Sequence, residues 1–148
     1  MIGFLVTLAT FVFMEFTAWF THKFVMHGFL WNLHEDHHKG SPVFFEKNDA
    51  FFLIFAIPGW LFTMFGMLHG YDWKFFIGLG IILYGIAYFL VHDVIIHQRF
   101  KWFRNLQHPY VKTIRRAHKM HHKHLGKEHG ESFGMLFVNP KYWKMVNK

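Results

Sequence analysis

The sequence predicts an all-α fold: an integral-membrane helical bundle of about three transmembrane helices with a cytoplasmic histidine-rich cap. Three observations support this prediction. The chain is 53% hydrophobic, it contains three long apolar runs, and most of its 14 histidines lie just beyond the ends of those runs. A chain of 148 residues is typical of one domain, and we expect residues 1–148 to form a single domain.

The first apolar run covers residues 2–20, and its only charged residue is Glu15. About 20 such residues suffice to cross the roughly 30 Å hydrocarbon core of a bilayer. A signal peptide explains the run less well, because no lysine or arginine precedes it and no small-residue cleavage site follows it. We therefore expect the first transmembrane helix at about residues 2–20.

The second and third apolar runs cover residues 50–68 and 75–91, and only the short polar segment HGYDWK separates them. Pro58 lies inside the second run, where a membrane helix tolerates proline. The alternative is a soluble bundle of three buried helices, but the runs lack the polar faces that surface helices show. We expect two further transmembrane helices at these positions.

The distribution of basic residues predicts the orientation in the membrane. Of the 16 lysines and arginines, 3 lie in segment 21–49 and 12 lie from residue 92 onward, while Lys74 lies between the second and third runs. The positive-inside rule then places segment 21–49 and the tail 92–148 on the cytoplasmic side of the cytoplasmic (inner) membrane. Topology and contact with anionic membrane lipid account for the net charge of +7, so we expect no nucleic-acid partner.

Ten histidines form four boxes next to the predicted cytoplasmic ends of the helices. Two boxes have the pattern H-x-x-x-x-H and two have the pattern H-x-x-H-H; their members are His22 and His27, then His34, His37 and His38, then His92 and His97, and finally His118, His121 and His122. Helix positions i, i+3 and i+4 share one face, so an H-x-x-H-H box directs three imidazoles in nearly one direction. Positions i and i+5 diverge by about 140°, which suits either two different metals or a helix that loosens at its end. Gly28, directly after His27, would permit such loosening.

Ten imidazoles are too many for one ion, and they indicate two metal ions with four or five nitrogen ligands each. Imidazole binds Fe, Zn, Cu and Ni, so nitrogen ligation alone does not identify the metal. The absence of cysteine excludes iron–sulfur clusters and thiolate-ligated haem. The four other histidines, His69, His108, His124 and His129, are expected at the surface.

Acidic residues near the boxes are candidates to accept a hydrogen bond from the outer ring nitrogen of a ligand histidine. Glu35 and Asp36 lie inside one box, and Asp93 follows His92. The alternative for each of these acids is an ordinary solvated carboxylate.

Glu15 is a separate case, because a carboxylate within a membrane span is costly and indicates a function. It lies seven residues before His22 and therefore on nearly the same helix face. We expect Glu15 to hydrogen-bond a ligand histidine; the alternative is a structural hydrogen bond to a neighbouring helix.

A further helix is predicted in the tail, where Pro109 is suited to open it and Gly126 to close it. Apolar residues and histidines form one stripe of this helix, and basic residues occupy the other side. The stripe consists of Val111, Ile114, His118, His121, His122 and Leu125, and the basic side of Lys112, Arg116, Lys119 and Lys123. We expect the helix to cover the metal site as a lid, with its basic face toward lipid headgroups or solvent.

The order of the four boxes and the residues around them resemble those of the bacterial β-carotene 3-hydroxylases, within the wider fatty acid hydroxylase superfamily of membrane di-iron enzymes. The matching segments are MEFTAWFTHKFVMHGFLWNLHEDHH, HDVIIHQRF, RRAHKMHHKH and ESFGMLF, which together extend from about residue 14 to 138. The resemblance implies a non-haem di-iron monooxygenase that uses O₂ to hydroxylate C3 of β-ionone rings. It also implies that all ten box histidines are iron ligands, and it allows a fourth membrane span.

The resemblance further implies a carotenoid substrate that enters sideways from the bilayer. Electrons would come from an external donor such as a ferredoxin with its reductase, since no reductase domain is evident in 148 residues. Related functions remain open, because the boxes bind iron rather than substrate: a desaturase, a ketolase, or a fatty acid or sterol hydroxylase. A metal transporter or metal store is a further alternative, although a transporter should place its ligands near the middle of the membrane.

Overall fold

The computed structural model describes residues 1–40 and 43–146, and within these ranges it contains six α-helices and no β-strand. The helices are α1 (Ile2–Phe20), α2 (Trp31–Lys39), α3 (Ala50–Leu68), α4 (Trp73–Tyr88), α5 (Pro109–His121) and α6 (Pro140–Val146). Residues 41 and 42 of the predicted cytoplasmic segment, and residues 147 and 148 of the predicted tail, lie outside the described residues. The all-α prediction is confirmed for the described part of the chain.

Three continuous helical units are long and apolar enough to cross a membrane, namely Ile2–Phe29, Lys47–Leu68 and Trp73–Ile96. Many of their large apolar side chains face outward. Phe4, Leu68 and Trp60, for example, are 70%, 72% and 59% exposed. Apolar surface of this extent would be unfavourable in water, whereas it is suited to contact with lipid.

Helix α4 packs against both α1 and α3, and small residues allow the close approach. A Cβ atom on Gly78 would lie only 2.3 Å from Oγ1 of Thr63 in α3, and one on Gly80 would lie 2.6 Å from Cβ of Thr10 in α1. Small residues are favoured at such contacts because membrane helices associate through close packing rather than through the hydrophobic effect.

Helices α1 and α4 run parallel to each other. The hydroxyl of Thr7 donates a 3.1 Å hydrogen bond to the carbonyl oxygen of Phe76, and further along both helices the hydroxyl of Tyr84 donates to the carboxylate of Glu15. Since α3 is connected to α4 by a short turn, α3 runs in the opposite direction. The end of α1, the beginning of α3 and the end of α4 therefore meet on one side of the bundle.

Two π-helical segments extend the membrane helices on this side. The first, Thr21–Phe29, continues α1, and the second, Phe89–Ile96, continues α4. The first segment departs from helical geometry at Gly28, where φ is −105° and ψ is −122°. The expected loosening of the helix at Gly28 is therefore observed.

The tail helix α5 begins at Pro109, as predicted, but it ends at His121 rather than near Gly126. Leu125 lies beyond the helix and is 57% exposed, so its placement on the buried stripe was wrong. The chain turns away after the last histidine box because the following loop folds back and supplies backbone acceptors to other histidines, as described below. The predicted basic side chains Lys112, Arg116 and Lys119 on α5, and Lys123 just beyond it, are exposed, as expected.

Candidate metal centre

Nine of the ten box histidines converge in two groups where the ends of α1, α2, α4 and α5 meet. Within each group, one ring nitrogen from every histidine lies within 4.8 Å of the others. The first group consists of His22, His27, His34, His38 and His121. The second group consists of His37, His97, His118 and His122. The structure thus brings all four boxes together, while the role of these residues as metal ligands stays a prediction.

Each H-x-x-H-H box is divided between the two groups. Its first and last histidines belong to one group and its middle histidine belongs to the other. The outer histidines of the α2 box, His34 and His38, belong to the first group. The outer histidines of the α5 box, His118 and His122, belong to the second. The expectation that one box directs three imidazoles in the same direction was wrong, because positions i+3 and i+4 differ by about 100° around a helix.

The H-x-x-x-x-H boxes coincide with the π-helical extensions of α1 and α4. A π-helix is closed by hydrogen bonds between residues five apart, and the amide of His97 donates such a bond, of 2.8 Å, to the carbonyl oxygen of His92. The wider turn brings residues i and i+5 to one side. His22 and His27 accordingly belong to the same group, with ring centroids 5.3 Å apart. Of the two interpretations of this spacing, the loosened helix is the one that the structure adopts.

Every histidine of the first group directs Nδ1 outward to a neutral oxygen. The acceptors are the carbonyl oxygens of Phe133, Lys127, His124 and Glu131 for His22, His27, His38 and His121, and the side-chain amide oxygen of Asn48 for His34, at 2.7 to 3.0 Å. Because these oxygens only accept, each Nδ1 carries the proton and each Nε2 presents a lone pair.

These lone pairs meet inside the first group. The Nε2 atom of His27 lies 3.1 Å from that of His38 and 3.3 Å from that of His121, and His22 and His34 are likewise separated by 3.1 Å. Two hydrogen-bond acceptors are unfavourable at such distances unless a cation lies between them. Two nitrogens that bind one ion at about 2.1 Å and at right angles lie about 3 Å apart. The first group therefore fits a metal ion bound by imidazoles.

The second group also lacks partners for its inner nitrogens. The Nε2 atoms of His37 and His122 are buried without a hydrogen-bond partner among the described residues, and those of His97 and His118 lie 2.7 Å apart. A buried polar atom without a partner costs free energy and calls for an explanation. A metal ion bound by the four Nε2 atoms of this group would supply the missing partner.

His92 lies beside the second group and is not a member of it. Its ring centroid is 4.5 Å from that of His97 and 4.9 Å from that of His118. Its Nδ1 contacts Oδ1 of Asp93 at 2.8 Å, and its ring stacks on Tyr88 with a centroid distance of 4.7 Å. Nine of the ten box histidines thus converge in the two groups and His92 borders them, while the prediction that all ten are metal ligands stays a prediction.

Several of the imidazoles lie outside the membrane spans, and burial keeps these imidazoles neutral. It lowers the pKa of His34 to about 3 and the pKa values of His38 and His97 to about 4. It also lowers the pKa values of His121 and His122 to about 2. Only a neutral imidazole binds a metal ion, so these histidines are in the protonation state that metal binding requires near pH 7.

Glu15 does not contact a histidine. Its carboxylate accepts four hydrogen bonds of 2.7 to 3.1 Å, from the hydroxyl of Tyr84 and from the backbone amides of Met135, Leu136 and Phe137. The expected bond to a ligand histidine was wrong, because these donors occupy both oxygens. Glu15 acts on the site one step further out: it holds the tail segment that follows Phe133, whose carbonyl oxygen orients His22.

Two of the three acids within the boxes also have other partners. Glu35 pairs with Lys39 at 2.6 Å on the exposed side of α2, and Asp36 accepts a 2.7 Å hydrogen bond from the amide of Lys47. Their proposed bonds to ligand histidines were therefore wrong. Of the three, Asp93 is the one that contacts an imidazole in the described structure.

Two residues that orient histidines were missed by the sequence analysis. The carboxylate of Glu46 contacts Nδ1 of His37 at 2.7 Å, and the amide oxygen of Asn48 contacts Nδ1 of His34 at 2.7 Å. Both lie in the segment between α2 and α3, and no regular spacing connects them with a box. Backbone carbonyl acceptors are equally invisible in a sequence, since every residue has one.

The four histidines outside the boxes add no side chain to either group. His69 and His129 are exposed, and the side chain of His108 accepts the Tyr110 amide at the start of α5. The contact of His124 with the first group is made by its backbone carbonyl oxygen, which lies 2.9 Å from Nδ1 of His38. The expectation that these side chains lie outside the site agrees with their positions.

An apolar cavity with a volume of about 560 Å³ lies between α1, α3 and α4. His22, His92 and His118 line the end of the cavity nearest the two groups. Most of the other lining residues are apolar, among them Met14, Phe55, Ile81 and Met135, while Asn48, Asp49 and Asp93 add polar groups to the lining. The cavity therefore joins the membrane-spanning helices to the histidines.

Part of the cavity wall belongs to the outer surface of the bundle. Phe52, Ile86 and Leu90 line the cavity and are 60%, 53% and 39% exposed. All three lie in the helical units that are long enough to cross a membrane. The cavity wall thus reaches the exposed apolar surface of the bundle.

These features define a helical protein with three membrane-length units and, at one end of them, two clusters of imidazoles that suit metal ions. The sequence model of the fatty acid hydroxylase family matches residues 7–139. The chain therefore belongs to the fatty acid hydroxylase family, as the residues and order of its histidine boxes indicated.

Its curated relatives include β-carotene hydroxylases of bacteria and plants. The β-carotene hydroxylase of Paracoccus sp. (strain N81106 / MBIC 01143) is 37% identical over 145 residues, which cover 95% of this chain and 86% of the relative. That of Pantoea ananas is 37% identical over 136 residues, covering 92% and 77%. The chloroplastic β-carotene 3-hydroxylase 2 of Arabidopsis thaliana is 40% identical over 133 residues, covering 86% of this chain and 42% of the relative. No solved structure is significantly similar to this chain.

Proposed function

We propose that this protein is a β-carotene 3-hydroxylase, an O₂-dependent non-haem di-iron monooxygenase that adds a hydroxyl at C3 of β-ionone rings. Its products would be β-cryptoxanthin and then zeaxanthin. The observation that carries the proposal is the apolar cavity of about 560 Å³, which ends at His22, His92 and His118. Similarity to β-carotene hydroxylases over most of the chain supports the choice of substrate.

The position of the cavity supports entry of the substrate from the bilayer. A carotenoid is a hydrocarbon that dissolves in the membrane core, so a lateral route spares it from contact with water. The exposed side chains of Phe52, Ile86 and Leu90 mark such a route. An end ring that entered here would lie among apolar side chains, with one edge toward the histidines.

Two iron ions are the proposed cofactors, one in each group of histidines. When bound, they would supply the activation of O₂, of which one atom enters the product while two electrons and two protons convert the other to water. The protein's own contribution is to hold neutral imidazoles with Nε2 inward, to exclude water from the apolar cavity and to position the ring carbon. Hydrogen bonds to Nδ1 fix the orientation of the five imidazoles in the first group.

Electrons would come from an external donor such as a ferredoxin with its reductase. The proposed location is the cytoplasmic membrane, with both histidine groups on the cytoplasmic side, where they would face a soluble donor of this kind. The exposed lysines and arginines of the tail support this orientation through the positive-inside rule.

The proposal is tested by expression in cells that accumulate β-carotene, followed by chromatography of the pigments. We expect mono- and dihydroxylated products from the unchanged protein and their loss in His37→Ala. The control His124→Ala should retain activity, because the hydrogen bond to His38 is made by the backbone carbonyl of residue 124, which alanine keeps. Unchanged β-carotene, despite membrane-inserted, iron-loaded protein and a supply of reductant, would contradict the proposal; keto or desaturated products would assign the chain to a related reaction.

A further inference from the structure

One histidine of the second group, His37, differs from every histidine of the first group in the charge of the atom that holds its outer nitrogen. In the first group every Nδ1 is bonded to a neutral oxygen, four times a backbone carbonyl and once the amide of Asn48. In the second group Nδ1 of His37 is bonded to the carboxylate of Glu46 at 2.7 Å. The neighbouring His92 is bonded to the carboxylate of Asp93 at 2.8 Å.

Both carboxylate contacts are shielded from water. The side chains of His37 and His92 are 4% and 5% exposed, and those of Glu46 and Asp93 are 16% and 19% exposed. The two imidazoles also stack on each other, with ring centroids 5.1 Å apart and an interplanar angle of 25°. Electrostatic effects are stronger in such surroundings than at a surface.

The carboxylates are held in place by one network. The guanidinium of Arg99 donates to both carboxylate oxygens of Asp49 at 2.8 and 2.9 Å, and it lies 3.8 Å from Asp93. Asp49 in turn accepts the backbone amide of Glu46 at 3.0 Å. Arg99 therefore connects the segment before α3 to the end of α4, and it fixes Glu46 and Asp93 against their imidazoles.

A carboxylate changes an imidazole more than a neutral oxygen does. It attracts the Nδ1 proton and so raises the electron density at Nε2, which strengthens the bond from Nε2 to a cation. Its negative charge also attracts the cation directly. A carbonyl oxygen supplies the same orientation with a smaller electronic effect.

We propose that the two metal positions are unequal and that Glu46, supported by Asp93, makes the second group the tighter-binding position. The inference rests on the proposed function only in so far as both groups hold iron. Glu46 acts as a positioning residue that polarises His37 and does not touch the substrate.

Two variants of matched size separate charge from shape. Glu46→Gln keeps an oxygen acceptor for His37 and removes the negative charge. Asn48→Asp does the reverse in the first group, because it places a carboxylate against Nδ1 of His34. Glu35→Gln is the control, since Glu35 pairs with the exposed Lys39.

The experiment uses the purified full-length protein in detergent, loaded anaerobically with isotopically enriched ferrous iron and titrated with a competing chelator. Iron per protein and the Mössbauer spectrum are measured together. Wild type should release its two ions in two steps. Glu46→Gln should weaken the tighter step by about 10- to 100-fold and alter one of two iron signals. Asn48→Asp should strengthen the weaker step and alter the other signal, while Glu35→Gln should match wild type.

Release of both ions in one step from the wild type, or a joint shift of both steps in Glu46→Gln, would overturn the inference. So would the absence of any change in Glu46→Gln and Asn48→Asp. If the active hydroxylase binds two equivalent ions, this inference fails and the proposed function stands. A wild-type protein that binds no iron would overturn both.

Discussion

The hydroxyl of Tyr84 on α4 donates a 2.7 Å hydrogen bond to Oε2 of Glu15 on α1. Both residues are buried, with exposures of 3% and 6%. The other oxygen, Oε1, accepts the three backbone amides of residues 135–137. One carboxylate thus joins two membrane helices to the tail, next to the carbonyl of Phe133 that orients His22.

Glu15→Ala is expected to destabilise the protein strongly. It leaves three backbone amides without their acceptor, at about 1–3 kcal/mol for each amide that stays buried, so we expect a loss of about 3 kcal/mol or more. Tyr84→Phe removes a single hydrogen bond to a buried carboxylate oxygen and should cost about 1.5–3 kcal/mol. The measurement is thermal unfolding in detergent followed by circular dichroism. Thr17→Ala is the control, because the Thr17 hydroxyl donates to the carbonyl oxygen of Phe13 within α1 itself. An equal effect of Glu15→Ala and Thr17→Ala would refute the role of Glu15 as a connector.

Gly85→Leu is expected to block the cavity without disturbing the fold. Gly85 lines the cavity, and a Cβ atom built on it meets no other atom within 4 Å. A leucine side chain would therefore occupy space meant for the substrate. We expect hydroxylation of β-carotene to fall about 10-fold or more while the iron content stays at the wild-type level, with a smaller loss for Gly85→Ala. Full activity of Gly85→Leu would show that the ring binds elsewhere.

His122, in the last histidine box, and His124, in the loop that follows it, offer a matched pair of substitutions. His122→Ala removes a nitrogen from the second group, whereas His124→Ala leaves the backbone carbonyl that holds His38 in place. We expect His122→Ala to lose at least one bound iron and to reduce product formation about 100-fold or more, in line with removal of a metal ligand. His124→Ala should stay within about 2-fold of wild type. Similar iron contents in the two variants would contradict the assignment of the second group.

The metal-free protein should lose stability in weak acid. The folded pKa values of His34, His38 and His97 lie at about 3, 4 and 4, below the value of about 6.5 in an unfolded chain. Between these values the unfolded state binds protons that the folded state does not, so stability falls as the pH decreases from about 6.5 toward 4. Above pH 7 these histidines are neutral in both states and have no effect. Unfolding temperatures that do not change between pH 7 and pH 4.5 would contradict the burial of neutral imidazoles.

Several parts of the fold could be predicted from the sequence because they depend on neighbouring residues. The helix α3 spans the same residues, 50–68, as the apolar run that predicted it, since a bilayer selects for length and hydropathy. Three crossings also place all four boxes on one side without further information. The end of α5 was wrong, because the loop after His121 is pulled back to offer carbonyl oxygens to His27 and His38.

The sequence by itself determined that the four histidine boxes lie at one end of the bundle, because spacing along a helix and apolar length are local properties. Only the tertiary structure decided how each box is divided between two groups and which atoms hold the outer nitrogens. The amide oxygen of Asn48 contacts His34, which is 14 residues away along the chain. The carboxylate of Glu15 accepts a backbone amide that is 120 residues away. Such partners arise when distant segments pack together, and any residue with a suitable oxygen or amide could have filled those places. No periodic pattern marks them, so their positions follow from packing alone.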